Sequence, residues 1–221
     1  MTSFSPIIKK QNIQLVKDTL IEQLSELQEY PYYYVVVQFG FYDNTGIKLP
    51  QTEVRKFYDK EQVSKTCKLI RNKIREALNP LQQYFFLERH TPLLDEYGDT
   101  IQEGRFHINL IVSPITDDAV LEPNRKCRRL LSQPDYDKFG IPIENNTYSD
   151  IEEYKMALIN ACIRTCGWVN KYQYSVKTQL VETPEDLEEV SNYCLKTYKD
   201  GGNDFMDVVL FESSDFYQPK H

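Results

Sequence analysis

Three side chains of types that bind divalent metal ions lie in two predicted strands. Glu88 is in QQYFFLERH, whereas His107 and Asn109 are two residues apart in EGRFHINLIV. Because successive side chains of a strand point to opposite faces, His107 and Asn109 share one face with Arg105. In an antiparallel hairpin with its tip near residue 97, Glu88 falls roughly opposite His107. The pattern predicts a carboxylate, an imidazole and an amide on one face of a sheet.

This donor set favours Mg²⁺ or Mn²⁺. Carboxylate oxygen, amide oxygen and imidazole nitrogen suit those ions, whereas a thiolate would indicate zinc. Three protein ligands leave positions open for a phosphate oxygen and water, as a Lewis-acid site requires. The alternative interpretation is a sheet face covered by a helix, on which the histidine has no role in chemistry.

A tyrosine and a lysine form the second group with potential chemistry. Tyr193 and Lys196 lie three residues apart in SNYCLKTYK and share one face of a predicted helix, from which Tyr198 is rotated away. A phenol with an ordinary pKa of about 10 is a weak nucleophile unless a cation stabilises its phenolate. Lys196 is a candidate for that charge, or for steadying a phosphate under attack. The alternative is an ordinary surface pair.

Charge limits the classes of partner. The formal net charge of −7 argues against nonspecific coating of duplex DNA, because phosphate binding needs a local surplus of Lys and Arg. Such a surplus occurs in NRKCRR (124–129), interpreted as an exposed basic loop beside the sheet. The candidate contacts to DNA phosphates are Arg105, Arg125, Lys126, Arg128 and Arg129.

Cysteine usage and hydropathy indicate the compartment. The five cysteines form no CxxC pair, the N-terminus lacks the apolar run of a signal peptide, and no segment approaches about 18 apolar residues. We therefore expect a soluble intracellular protein with reduced thiols and no membrane partner.

Hydrophobic periodicity predicts the order helix, strand, helix, strand, strand, helix, strand, helix, strand. The result is an α+β fold with five mainly antiparallel strands and helices packed on one face of the sheet. The strand YVVVQFGF would place Gln38 on the active face, and a long helix interrupted near Asp59 ends at the Asn79–Pro80 pair. Residues 1–30 are expected to form a helical extension and residues 31–221 one domain.

The succession FFLERH, GRFHINLIV and VSNYCLKTYK resembles the HUH endonuclease superfamily, specifically the replication initiator (Rep) proteins of rolling-circle plasmids and single-stranded DNA viruses. In that family a strand ending in glutamate precedes a strand with His–hydrophobic–His, or His–hydrophobic–Gln in some viral members. A later helix carries Tyr-x-x-Lys. The resemblance covers roughly residues 33–212 in element order and is specific in two motifs. Asn109 departs from the pattern, and its shorter side chain puts full metal affinity in doubt.

The resemblance implies an HUH/RRM-like nuclease of the single-tyrosine type. Tyr193 would attack a phosphodiester of a single-stranded origin, leaving a covalent 5′-phosphotyrosine and a free 3′-hydroxyl. Glu88, His107 and Asn109 would hold Mg²⁺ or Mn²⁺, and Lys196 would balance charge near the phosphate. The implied partners are single-stranded DNA, an origin hairpin, a host polymerase and a separate helicase, because the chain has no G-x-x-x-x-G-K-[ST] sequence. The implied location is a bacterial cytoplasm, or the cell interior for a viral protein.

Two alternatives remain open. The acidic charge and Asn109 favour a DNA-binding module of the same fold whose site is catalytically weakened or inactive. A single-tyrosine transposase or conjugative relaxase would keep the chemistry. Relaxases of the family cluster more histidines and place the nucleophile near the N-terminus, and small transposases of the family tend to be shorter. Initiation of replication on a plasmid, phage or mobile element is therefore preferred to either of these functions.

Overall fold

The protein is described by a computed structural model that covers residues 22, 31–39, 55–89, 93–94, 96–97, 100–102, 104, 106–120, 125–132, 135–136, 142–143, 148–166, 176–194 and 208–211. The prediction of a helical extension over residues 1–30 lies outside the described residues, except at Glu22. Within the described ranges, no helix combines the length and apolar content needed to cross a lipid bilayer.

Nine strands and four helices make up the described elements. The strands are β1 (Tyr32–Gln38), β2 (Gln83–Arg89), β3 (Leu93–Leu94), β4 (Thr100–Gln102), β5 (Phe106–Val112), β6 (Asp135–Tyr136), β7 (Pro142–Ile143), β8 (Val176–Val181) and β9 (Val208–Phe211). The helices are α1 (Lys60–Leu78), α2 (Arg125–Leu131), α3 (Ile151–Arg164) and α4 (Pro184–Cys194). Short 3-10 turns lie at Arg55–Tyr58 and Asp117–Val120.

An antiparallel sheet forms the centre of the fold. Its strands follow the order β8-β1-β5-β2, each antiparallel to its neighbour, and β9 is hydrogen-bonded to the other side of β2. β3 pairs with β4 and β6 pairs with β7 in two separate small ladders. The prediction of an α+β fold around an antiparallel sheet is confirmed.

The register of β2 and β5 places the polar residues of the two strands side by side. Glu88 is paired directly with His107, and Phe86 with Asn109. On the other side of β5, the partner of Asn109 is Val36 and that of His107 is Gln38. The predicted alignment of Glu88 with His107 is therefore confirmed, since the connection through β3 and β4 returns the chain antiparallel to β2.

The ends of α1 follow from its sequence. The Asp59 carboxylate accepts hydrogen bonds from the backbone N–H groups of Glu61 and Gln62, at 2.8 and 3.3 Å, and so caps the first turn. Asn79 ends the helix in the left-handed conformation, with φ at 43°, and Pro80 follows. The predicted interruption near Asp59 and the end at Asn79–Pro80 are both confirmed.

The main core lies between one sheet face and helices α1, α2 and α3. The alternate residues Val35, Phe85, Ile108 and Leu110 are fully buried there against helix residues such as Ile70. Below this layer Lys155 of α3 forms ion pairs with Glu152 and Asp117, at 2.7 and 2.9 Å. Tyr33 donates a hydrogen bond to Glu152, which ties the first strand to α3.

The opposite face of the sheet is partly covered by α4, so the prediction that the helices pack on one face is wrong. Leu187, Val190 and Cys194 of this helix bury a second apolar cluster with Tyr32, Tyr34, Tyr84, Phe86, Ile111 and Val181. Helix α4 packs there because one end of this face carries large apolar side chains that are stabilised by removal from water. The other end of the face carries Glu88 and His107.

The prediction that the basic stretch 124–129 is an exposed loop beside the sheet is also wrong, because residues 125–131 form helix α2. Cys127 anchors this helix against α3, with 3.3 Å between its Sγ and that of Cys162. Since Cys127 and Cys162 belong to the main core, α2 lies across the sheet from the polar residues of β5.

Candidate active site

One carboxylate oxygen joins the three predicted metal ligands. The Glu88 Oε2 atom lies 2.9 Å from His107 Nε2 and accepts a hydrogen bond of 3.1 Å from Asn109 Nδ2. All three side chains are buried, with relative exposures of 6% for Glu88, 6% for His107 and 0% for Asn109. The sequence prediction that Glu88, His107 and Asn109 lie together agrees with their positions. We call this group the Glu–His–Asn trio.

Tyr34 extends the hydrogen bonding of the trio from the neighbouring strand. Its hydroxyl donates to Asn109 Oδ1 at 2.9 Å, so both ends of the buried amide are paired. Burial raises the pKa of the Tyr34 phenol well above its ordinary value, and the adjacent acidic groups Cys194, Tyr193 and Glu88 raise it further. Tyr34 therefore keeps its proton at neutral pH and remains a donor.

Helix α4 places the phenol of Tyr193 on the same sheet face as the trio. The Tyr193 ring meets the Tyr34 ring edge-on, with centroids 6.3 Å apart and planes at 72°. At the start of the helix, Thr183 and Asp186 cap one another, each side chain accepting from the backbone N–H of the other at 3.1 Å. Tyr193 itself is 45% exposed, so its phenol is open to a large substrate.

The trio has donor types that a hard divalent cation accepts. His107 Nε2 and Glu88 Oε2 are 2.9 Å apart as hydrogen-bonded partners, so a cation held between them would have to replace that hydrogen bond. The Tyr34 hydroxyl can donate or accept, so it can pair with either end of the Asn109 amide and leave the amide oxygen available as a ligand.

The trio differs from a ligand set made only of the stronger donor types. Among the residues that the structure describes, no group of three or more His, Cys, Asp or Glu side chains is arranged to hold a metal ion. The trio has two such residues, Glu88 and His107, and its third member is an amide. A cation held by this set would be bound more weakly than by a set with a second histidine or carboxylate.

Of the other predicted site residues, the described arginines of α2 lie away from the trio. Arg125, Arg128 and Arg129 are exposed on α2, on the far side of the sheet, and the side chain of Lys126 is not described. Arg105, Lys196 and Tyr198 lie outside the described residues. Gln38 is exposed at the end of β1, directly beside His107 in the register, as expected from its strand.

Two residues near the trio were missed by the sequence reasoning. Tyr34 stands in YPYYYVVV, where strand alternation assigns it to the face of Asn109, but only the pairing of β1 with β5 makes the two neighbours. Lys177 is exposed on β8, in the same cross-strand row as Val36 and Asn109. Alternation within VKTQLV was the available signal for Lys177.

Comparisons with protein-family models, curated proteins and solved structures found no match for this chain.

Proposed function

We propose that the protein is a metal-dependent nickase and strand transferase of single-stranded DNA, acting as a replication initiator of a plasmid, phage or mobile element. One observation carries the proposal. The exposed phenol of Tyr193 lies on the sheet face of a buried Glu–His–Asn trio, and Tyr34 touches both. The sequence brings these groups from three distant segments, which is what a built site for phosphoryl transfer requires.

We propose further that the sheet has the HUH-like arrangement, with β9 completing five strands. The support is the register of β2 and β5, which puts glutamate beside histidine on adjacent strands. In that arrangement β2 and β5 would lie inside the sheet, with β1 and β9 as their outer neighbours. Rigid strands hold reacting groups more closely than loops do.

In the proposed reaction, Tyr193 is the nucleophile. Its oxygen bonds to the phosphorus while the bond from phosphorus to the 3′ oxygen breaks, giving a 5′-phosphotyrosine and a 3′-hydroxyl. The proton lost by the phenol balances the one gained by the 3′ oxygen. Because the phosphotyrosine keeps the bond energy, the reverse attack by a 3′-hydroxyl rejoins DNA ends. Tyr34 steadies the Tyr193 ring through its edge-on contact.

Glu88, His107 and Asn109 would hold Mg²⁺ or Mn²⁺, which would polarise the phosphate as a Lewis acid. The buried environment of these residues excludes water and strengthens their interactions with charge. Lys196, three residues after Tyr193, is proposed to balance charge at the same phosphate. An origin hairpin, a helicase and a host polymerase would be the other partners.

A DNA-binding module without cleavage is the second candidate. The observation that favours it is the pairing of Glu88 with His107 and Asn109, which gives the buried carboxylate hydrogen-bond partners without a cation. In this case the same sheet face would bind nucleic acid, and Tyr193 would serve as a stacking residue.

The test is formation of a covalent adduct. The purified protein is incubated with Mn²⁺ and a pool of single-stranded oligonucleotides of random internal sequence, and adducts are resolved in denaturing gels and mapped by mass spectrometry. We expect the wild type to form a phosphotyrosine at position 193 and Tyr193→Phe to form none. Tyr97→Phe is the matched control, because Tyr97 is 83% exposed in the turn between β3 and β4.

Equal adduct yields from Tyr193→Phe and the wild type would contradict the assignment of the nucleophile. Retained binding of the oligonucleotides with no adduct under Mg²⁺ or Mn²⁺ would instead support the binding module.

A further inference from the structure

Lys177 lies on the open part of the sheet face that carries the trio. On β8, the side chains of Val176 and Leu180 pack into the main core, and the Thr178 hydroxyl donates to Asn160 of α3 at 2.6 Å. Because side chains alternate along a strand, Lys177 and Gln179 point to the opposite face. Both are exposed.

The register fixes the distance of Lys177 from the trio. Lys177 is paired with Val36, and Val36 is paired with Asn109, so the three residues form one row across β8, β1 and β5. Two strand spacings correspond to about 10 Å between the Cα atoms at the ends of this row. A lysine carries its ammonium on a flexible four-carbon stem, which lets it reach toward the site along the sheet surface.

The charge of Lys177 is available to a ligand. Within the described part of the chain, the side chain of Lys177 makes no hydrogen bond and no ion pair. The carboxylates of the first turn of α4, Glu185 and Asp186, follow the far end of β8, four residues or about 13 Å along the strand from Lys177. This face therefore carries carboxylates where α4 begins and the ammonium group of Lys177 toward the other end of β8.

We propose that Lys177 forms a phosphate subsite, binding the backbone phosphate of single-stranded DNA next to the phosphodiester that Tyr193 attacks. This inference rests on the proposed function and deepens it. Asn109 and Lys177 flank half-buried Val36 in one cross-strand row, and Tyr34, whose ring contacts Tyr193, lies two residues before Val36 on β1. From a phosphate between the trio and Tyr193, one course of the DNA leads toward the acidic start of α4 and another leads toward Lys177 on β8. Electrostatic repulsion disfavours the first course, and Lys177 attracts the strand to the second.

The subsite predicts a defined salt dependence. For single-stranded DNA, the slope of log affinity against log salt concentration is about −0.7 for each phosphate contact. Loss of one contact in Lys177→Ala makes the slope shallower by about 0.7. The ratio of wild-type affinity to Lys177→Ala affinity for single-stranded DNA should therefore be about 2.6-fold smaller at 200 mM KCl than at 50 mM KCl.

The experiment measures fluorescence anisotropy of a labelled 20-nucleotide oligo(dT) in EDTA, so that neither metal nor cleavage contributes. Lys177→Arg should keep the wild-type slope, since it keeps the charge. Lys68→Ala is the matched control, because Lys68 is an exposed lysine of α1, the helix that covers the other sheet face. It should also keep the wild-type slope.

The outcomes separate the two proposals. If oligo(dT) binds and Lys177→Ala has the slope of the wild type, the subsite is overturned, whereas the nickase proposal is untouched. If Lys68→Ala changes the slope as much as Lys177→Ala does, the effect is one of general charge and the subsite is also overturned. If the wild-type protein fails to bind oligo(dT) at 50 mM KCl, the subsite is overturned, whereas the nickase proposal is decided by adduct formation on the random oligonucleotide pool.

Discussion

Replacing Asn109 by aspartate tests the geometry of the trio most directly. The substitution turns the amide nitrogen, 3.1 Å from Glu88 Oε2, into a second carboxylate oxygen in a fully buried position. Two charges at that distance repel by about 5 kcal/mol at an effective dielectric constant of 20. Adding a proton at pH 7 to a carboxyl of ordinary pKa near 3.9 costs about 4 kcal/mol. Protonation costs less, so the pair is expected to share a proton at pH 7.

The cost of the substitution must therefore depend on pH. The shared proton raises the pKa of the pair in the folded state above its unfolded value, so the folded variant binds more protons than the unfolded chain. The penalty is close to zero near pH 4 and grows by about 1.4 kcal/mol for each pH unit above that, to a ceiling of about 4 kcal/mol at pH 7. At low pH the protonated carboxyl donates to Glu88 as the amide does in the wild type.

The assay is urea denaturation of Asn109→Asp and the wild type in EDTA from pH 4 to pH 7, repeated at pH 7 with Mn²⁺. We expect Mn²⁺ to recover part of the penalty, because a cation between two carboxylates removes their repulsion. Asn160→Asp is the matched control, since Asn160 is half-buried on α3 and accepts from the Thr178 hydroxyl. A penalty at position 109 that does not change between pH 4 and pH 7 would refute the adjacency of Asn109 and Glu88. Full insensitivity to Mn²⁺ would count against the metal site.

Two further substitutions test the surroundings of the site and the core. Tyr34→Phe should lower the free energy of unfolding by about 1–3 kcal/mol, measured in urea, because Asn109 Oδ1 stays buried without its donor. Burial raises the pKa of Tyr34, so its contribution to the free energy of unfolding is complete below about pH 10 and is lost as the pH rises above that value. Between pH 9 and 11 the free energy of unfolding should fall by about 1.4 kcal/mol more in the wild type than in Tyr34→Phe. Equal decreases would contradict the burial of this phenol. Lys155→Met should lower the free energy of unfolding by less than the roughly 3–5 kcal/mol typical of a broken buried ion pair, because Asp117 is exposed and Glu152 keeps its hydrogen bond from the Tyr33 hydroxyl. Thermal and urea unfolding measure the change, and a larger decrease would show that both carboxylates depend on Lys155.

Local patterns in the sequence were sufficient for the α+β class and for the trio. Alternation in FHINLIV assigns His107 and Asn109 to one face, and the return of the chain after Arg89 assigns Glu88 to the neighbouring strand. Both inferences rest on interactions between residues close in sequence or in one hairpin. The start of α1 at Asp59 and its end at Asn79 were predictable for the same reason, since capping is a local hydrogen-bonding problem.

Which face each helix covers was decided only by the tertiary structure. An amphipathic helix records that one of its sides must be buried, but not which apolar surface will bury it. Helix α4 covers the end of the sheet where Tyr32, Tyr84 and Phe86 need burial, and this placement brings Tyr193 beside Tyr34. Among the described residues, the apolar side chains of helix α2 pack into the main core across the sheet, which takes its arginines away from the trio. The sequence alone determined the chemical groups and their strand faces, whereas the pairing of distant apolar surfaces determined which of those groups meet.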